Sequence, residues 1–220
     1  MAFEQGRQSK RLLDPVDRVS EILFGLIMVL TSTNSLSVAT AGRAEIGTMI
    51  WGALGCNLAW GIIDAALYVM GCINQRGRDI LMLRAVRQPL SPEESRRLIA
   101  DSLPEPLAAV LSPTEAEAMR RKLVQLPEPP ARPGLTKEDA LSAGGICLLV
   151  FVSTFPVVIP FLFIGEVRPA LRLSNAVAIA MLFLCGYVFA RCTGLRPLPT
   201  GLLMVAIGCA MVGVAIALGG

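Results

Sequence analysis

The chain has no histidine, few aromatic residues (5%) and few charged ones (17%). Without imidazole, neither a histidine general base nor a histidine-ligated metal site can be built from this chain. Soluble domains carry about 25% charged residues, and the deficit here is uneven. Charges crowd into the first twenty positions and the stretch from Arg76 to Asp139, leaving long runs almost without any. No Walker motif, nucleophile elbow or glycine-rich turn after a strand is present, so no recognisable residue set points to ATP-driven chemistry or to an enzyme. None of the six cysteines (Cys56, Cys72, Cys147, Cys185, Cys192, Cys209) belongs to a C-x-x-C pair. They lie in or beside apolar runs and read as small packing residues, without disulfides or a zinc site. A net charge of +3 is too small to suggest nucleic acid as a partner.

What is abundant is apolar sequence: 54% of the 220 residues, with a mean hydropathy of +0.61. A helix needs about 20 mostly apolar residues to cross a bilayer. Five runs qualify, at about 21–39, 46–72, 141–164, 173–190 and 198–218. The first is expected to be a span and not a cleaved signal peptide, because some twenty largely polar residues precede it. The sequence therefore predicts an all-α polytopic membrane protein with five transmembrane helices and a small helical cytosolic insert between the second and third. Its expected segments are a cytosolic tail over 1–20, two spans over 21–72, the insert over 73–139 and three spans over 140–220. With the N-terminus in the cytosol, 17 of the 20 Lys and Arg fall on the inside, and only Arg43, Arg168 and Arg172 fall outside. The positive-inside rule selects that orientation, with the C-terminus outside.

Two helix starts are legible in the insert. Ser91-Pro92-Glu93-Glu94 and Ser112-Pro113-Thr114-Glu115 both have a capping serine, a proline in the first turn and a glutamate three residues after the serine. A further helix is expected to continue from the second span through Asp79 to Val86. Residues 126–134 are proline-rich and predict a stiff, extended return to the membrane. The insert is too small for a robust core of its own. Its acids Glu93, Glu94, Asp101, Glu105, Glu115 and Glu117 are candidates for an oxygen-rich cation site. Glu93, Glu94 and Glu115 also sit in first turns, where the helix dipole alone favours anions.

Asp64 is the most informative position. A carboxylate at the bilayer centre costs about 2.5–3.5 kcal/mol, so it normally faces a partner or a path. Asn57 lies seven residues earlier, on the same helical face, and Trp60, Gly61 and Tyr68 extend that stripe. A polar lane for a cation or proton and a helix–helix hydrogen bond are both compatible with this pattern. In the first span, Glu21, Met28 and Ser35 recur at sevens, with Thr31 and Asn34 nearby. A Met thioether can assist a transition metal or simply pack, and Glu21 can simply mark the interface. Asn175 suits either a cap or an interhelical bond.

The segment Phe155-Pro156-Val157-Val158-Ile159-Pro160-Phe161, the Gly186-Tyr187 pair with its short basic loop (Arg191, Arg196) and Glu21-Ile22-Leu23-Phe24-Gly25-Leu26-Ile27-Met28-Val29-Leu30-Thr31 resemble the vacuolar iron transporter family. They match, in turn, its third-span P-L-x-P-Y, its fourth and fifth spans, and its first-span D-x-x-x-G-x-x-D-G-L-T. The resemblance covers nearly the whole chain. It implies a homodimer with a metal path lined by a first-span Asp and a second-span Glu and Met. It also implies insert glutamates that collect metal, and proton-coupled exchange. Residue by residue, that Asp falls on Met28, the Glu on Asn57, the Met on Ala65, and a family Ser on Asp64. The insert acids do not repeat the family's E-x-x-E spacing.

These readings lead to an expectation of a divergent family member in a lipid bilayer, a bacterial inner membrane. It would export divalent cations such as Fe2+ or Mn2+, with Asp64, Asn57, Met28 and Glu21 along the path and the insert acids as intake. No permanently bound cofactor is expected, since the metal is cargo. The alternative is a membrane scaffold or accessory subunit that keeps the fold without the metal path.

Overall fold

In the computed structural model, residues 15–39, 46–88 and 91–217 are described. Most of the expected N-terminal tail, the first outside loop with Arg43, and the last three residues lie outside these. Among the described residues there are nine helices and no strand. Five stretches are long and apolar enough to cross a membrane: Pro15–Ser37, Ile46–Val86, Lys137–Phe163, Val167–Thr193 and Pro197–Val214. The chain divides into two compact units, one of residues 1–68 and 137–220 and one of residues 69–136.

The first unit contains α1 (Pro15–Ala39), the first half of α2 (Ile46–Val86), α6 (Lys137–Ser153), α7 (Phe155–Phe163), α8 (Val167–Thr193) and α9 (Pro197–Ala217). Helix α1 lies at its centre and packs against α6, α8 and α9. The cause is a stripe at helical spacing: Val19, Leu23, Leu26 and Leu30 are buried, together with Val157, Val158, Ala178 and Leu182. Helix α8 buries every fourth residue from Ala170 through Ser174, Ala178, Leu182, Gly186 and Ala190, mostly small side chains that let neighbouring helices approach closely. The outward faces are apolar too: Trp51 is 76% exposed and Phe163 84%. Such faces suit a hydrocarbon solvent and not water.

Three details refine the expected spans. Helix α1 begins at Pro15, six residues before the apolar run. The third span is broken at Thr154 into α6 and α7. Pro156 is the reason: it has no N–H, and its ring clashes with the carbonyl four residues earlier. The polar end of α1 is satisfied within its own helix, where Thr31 donates to the Ile27 and Met28 carbonyls and Thr33 to Val29 at 2.7 Å. Asn34 donates to Leu30 and exchanges reciprocal 3.0 Å hydrogen bonds with Asn175. Asn175 therefore clasps α8 to α1, which settles its two readings as the interhelical one.

The second unit contains the rest of α2, then α3 (Pro92–Ala100), α4 (Glu105–Val110) and α5 (Pro113–Val124). Both expected capping boxes are formed, at Ser91/Glu94 and Ser112/Glu115. Ile80, Val86, Ile99 and Ala116 are its buried apolar residues, few enough that other ties carry the fold. Arginines on α2 supply them. Arg84 donates to the carbonyls of Pro130 and Ala131, Arg87 to those of Leu126 and Pro127, and Arg76 to that of Gly134. The proline-rich return segment, which has few N–H groups of its own, is thus stitched along the helix through its carbonyls.

Candidate membrane site

Helices α1 and α2 meet antiparallel, as shown by three contacts between them. The side chains of Glu21 of α1 and Asp64 of α2 are neighbours. One turn on, Phe24 meets Trp60 edge-on, with ring centroids 5.9 Å apart. Next comes Asn57, fully buried, whose amide donates to the Gly25 carbonyl at 3.0 Å and to the Thr154 hydroxyl oxygen at 2.5 Å. The two carboxyls singled out from sequence are therefore paired with each other, and Asn57 lies next along the same seam.

Asn57 is held by the α6–α7 break. Thr154 is fully buried there, and its hydroxyl also approaches the Val150 carbonyl at 3.4 Å. Gly25 permits the close approach. A Cβ on it would meet the Ser153 hydroxyl and stand 2.8 Å from the Val150 carbonyl oxygen. Gly61 does the same for α2 against Cys147, whose carbonyl oxygen lies 3.0 Å from where a Cβ would sit. Broken helices at membrane depth are tolerated where protein or a cavity receives the freed polar groups. At this break the Asn57 amide meets the Thr154 hydroxyl. Among the described residues the Asn57 side-chain oxygen has no hydrogen-bond partner despite full burial.

Two carboxyls facing each other can hold a proton between them. If that proton leaves, the two carboxylates become hard oxygen ligands of the kind divalent cations take. Met28 is half-buried on α1, two turns beyond Glu21 and past Gly25, so it follows the pair along the same helix. Thr154 and Ser153 were not picked out as site residues from sequence. Pro156, two positions on, was the available signal for a break beside them.

The insert acids are placed differently. Glu94 accepts from the backbone and hydroxyl of Ser91, which hold its carboxyl below the ordinary glutamate range; the hydroxyl and backbone of Ser112 do the same to Glu115. Glu117 is lowered by its bond to Arg120 at 2.9 Å and also meets Arg121 at 3.3 Å. Glu93 pairs with Arg96 at 3.1 Å. Asp101 and Glu105 are exposed. Among the described residues no three acids or cysteines come together as a metal-holding group, so the structure brings together the membrane pair and not the insert set.

A family model described as the VIT family matches residues 75–220, about two thirds of the chain. No curated protein matches it.

Proposed function

The chain belongs to the VIT family, a family of membrane metal-ion transport, and on that premise we propose that it moves Fe2+ or Mn2+ out of the cytosol in exchange for protons. The observation that carries this reading is the Glu21–Asp64 carboxyl pair facing across α1 and α2. A carboxyl pair holding one proton exchanges it for a cation by simple competition: metal ligands must be deprotonated, so metal binding releases protons. The seam then continues past the unpartnered Asn57 oxygen and the Met28 thioether, which suits borderline metals. The orientation is N-terminus in the cytosol of a bacterial inner membrane, and the working form is a homodimer. Glu93, Glu94, Asp101, Glu105, Glu115 and Glu117 of the insert supply local negative charge where cations are collected. Uptake of Fe2+ or Mn2+ into reconstituted vesicles, with and without a proton gradient, tests the reading. Asp64→Ala is expected to cut gradient-driven uptake more than ten-fold; unchanged uptake would remove the pair from the mechanism.

A second reading has its own support. By the sequence resemblance Asn57 falls where the family has its second-span Glu, and its amide is engaged in tying α1, α2 and the α6–α7 break together. A chain whose site position has become a fastening fits a membrane scaffold or accessory subunit. A stoichiometric partner recovered by pull-down, together with no metal flux from the purified protein, would favour it.

A further inference from the structure

The turn between α8 and α9 carries a cavity separate from the membrane seam. Helix α8 ends on Gly194 in the left-handed conformation (φ 76°), which side chains disfavour and glycine accepts. Both the Gly194 and Leu195 N–H groups then reach the Ala190 carbonyl. Helix α9 restarts at once with Pro197 and Pro199, residues suited to a first turn because their missing N–H has no intrahelical partner there. Thr200 closes the turn with its N–H and hydroxyl on the Arg196 carbonyl, at 3.2 and 2.9 Å. Close approach of the two helices fixes the geometry. A Cβ on Gly186 would stand 3.1 Å from the Gly201 Cα, and one on Gly201 would stand 2.8 Å from the Phe183 ring.

This corner carries an open hollow of about 260 Å3 lined by Tyr187, Arg196, Pro197, Leu198 and Pro199. Its polarity is one-signed. After Glu166 the chain has no acidic residue, while Arg191 and Arg196 stand at this turn. Both arginines are exposed, and neither guanidinium has an ion pair or hydrogen bond among the described residues. The Tyr187 ring leans on Phe183, with centroids 6.3 Å apart. Leu198 of the lining is exposed, as are Leu195 and Leu202, at the point where two apolar spans end. A cationic fork, a phenol and an apolar apron at the bilayer boundary match the parts of a phospholipid. Guanidinium binds phosphate bidentately, tyrosine favours headgroup depth, and basic pockets at span ends take anionic headgroups.

We propose that this cavity binds a phosphate group at the membrane surface, that of an anionic phospholipid, with Arg196 and Tyr187 as donors and the leucines against its acyl chains. Native mass spectrometry of the full-length protein, released from vesicles of phosphatidylglycerol and phosphatidylcholine, tests it. The wild type is expected to retain phosphatidylglycerol in preference. Arg196→Gln is expected to lower that retention about ten-fold, as for loss of a charged hydrogen bond, without changing phosphatidylcholine retention. Arg196→Lys is expected to keep most of it. Thermal unfolding of the variants serves as the folding control and is expected to stay unchanged, because the bonds of Arg196 to Thr200 use its backbone carbonyl. Equal retention by wild type and R196Q, or no preference between the two lipids, would overturn the site. Displacement of the lipid by millimolar inorganic phosphate would keep the phosphate site and overturn the lipid as its source.

Discussion

Gly25 shows how much one missing methyl group controls in this fold. Its Cα lies against the backbone of α6 at Val150 and the Ser153 hydroxyl, and its carbonyl receives the amide of Asn57. Adding a Cβ would push α1 off α6, lengthen the Asn57 bond and loosen the break at Thr154 together. Gly55 offers the control, since a Cβ there meets nothing within 4 Å. Gly25→Ala is expected to destabilise the protein by about 1–3 kcal/mol, the usual cost of overpacking. Gly55→Ala is expected to be neutral or slightly stabilising through helix propensity. Thermal unfolding of the two variants in detergent checks this, and equal melting temperatures would show that the α1–α6 approach yields at no cost. At this scale the sequence was partly legible. Asp64, Asn57, Glu21 and Met28 stand out because polar or soft residues in apolar runs need a reason. That Glu21 meets Asp64 was not legible, because heptad arithmetic orders residues along one helix and says nothing about which residue faces which across two. Gly25 was visible only as part of a motif; which atoms of α2 and α6 meet it leaves no mark in the sequence.

At the scale of elements, the insert folds by its ends more than by its core. Helices α3 and α5 each start on a complete capping box, and in each the glutamate is held below its ordinary range by the serine it caps. The sign of the pH dependence follows. A carboxyl whose pKa is depressed on folding contributes stability that is present above the ordinary glutamate value of about 4.3. That stability is lost as pH falls through the depressed value. Insert helicity is therefore expected to hold from neutral pH down to the ordinary glutamate value and to fall between that and the depressed value. In the Ser91→Ala/Ser112→Ala double variant, helicity is expected to be lower already at neutral pH and to change less on acidification. Circular dichroism of the full-length protein across pH 7 to 3 measures both, and identical acid profiles for wild type and variant would remove the caps as the cause. These helix starts were legible because a cap is local: serine, proline and glutamate at fixed spacing state it outright. The continuation of α2 to Val86 was legible for a similar reason, from its spaced apolar residues. The short α4 was not, since its six residues bury none of their number and carry no apolar stripe. Nor were the bonds of Arg84 and Arg87 to the return segment, whose acceptors are backbone carbonyls. The break at Thr154 falls between: Pro156 and Pro160 announce it, but the apolar run around them reads as a single span.

For the whole molecule, the direction of transport depends on which way the bundle points. Glu21 is six residues into α1, about 9 Å along the helix from its start, so the carboxyl pair lies toward the N-terminal end of the first span. With the proposed N-in orientation the pair loads from the cytosol, and the reading is export. Reversed, the same pair would load from outside, and the reading would become import. Helix α8 provides the test. Its 27 residues extend about 40 Å, more than the roughly 30 Å hydrocarbon thickness, so its two ends must emerge on opposite faces. Cys192 is exposed at one end. Gly165, exposed with open space around it, lies just before the other. In a chain whose remaining cysteines are replaced by alanine, Cys192 is expected to react with a membrane-impermeant maleimide only after permeabilisation. With Cys192 also replaced, Gly165→Cys is expected to react in intact cells. The opposite pattern would invert the orientation and turn the proposed exporter into an importer. Labelling of both in intact cells would mean that the chain inserts both ways, and the placement of 17 of its 20 basic residues would then have failed to orient it.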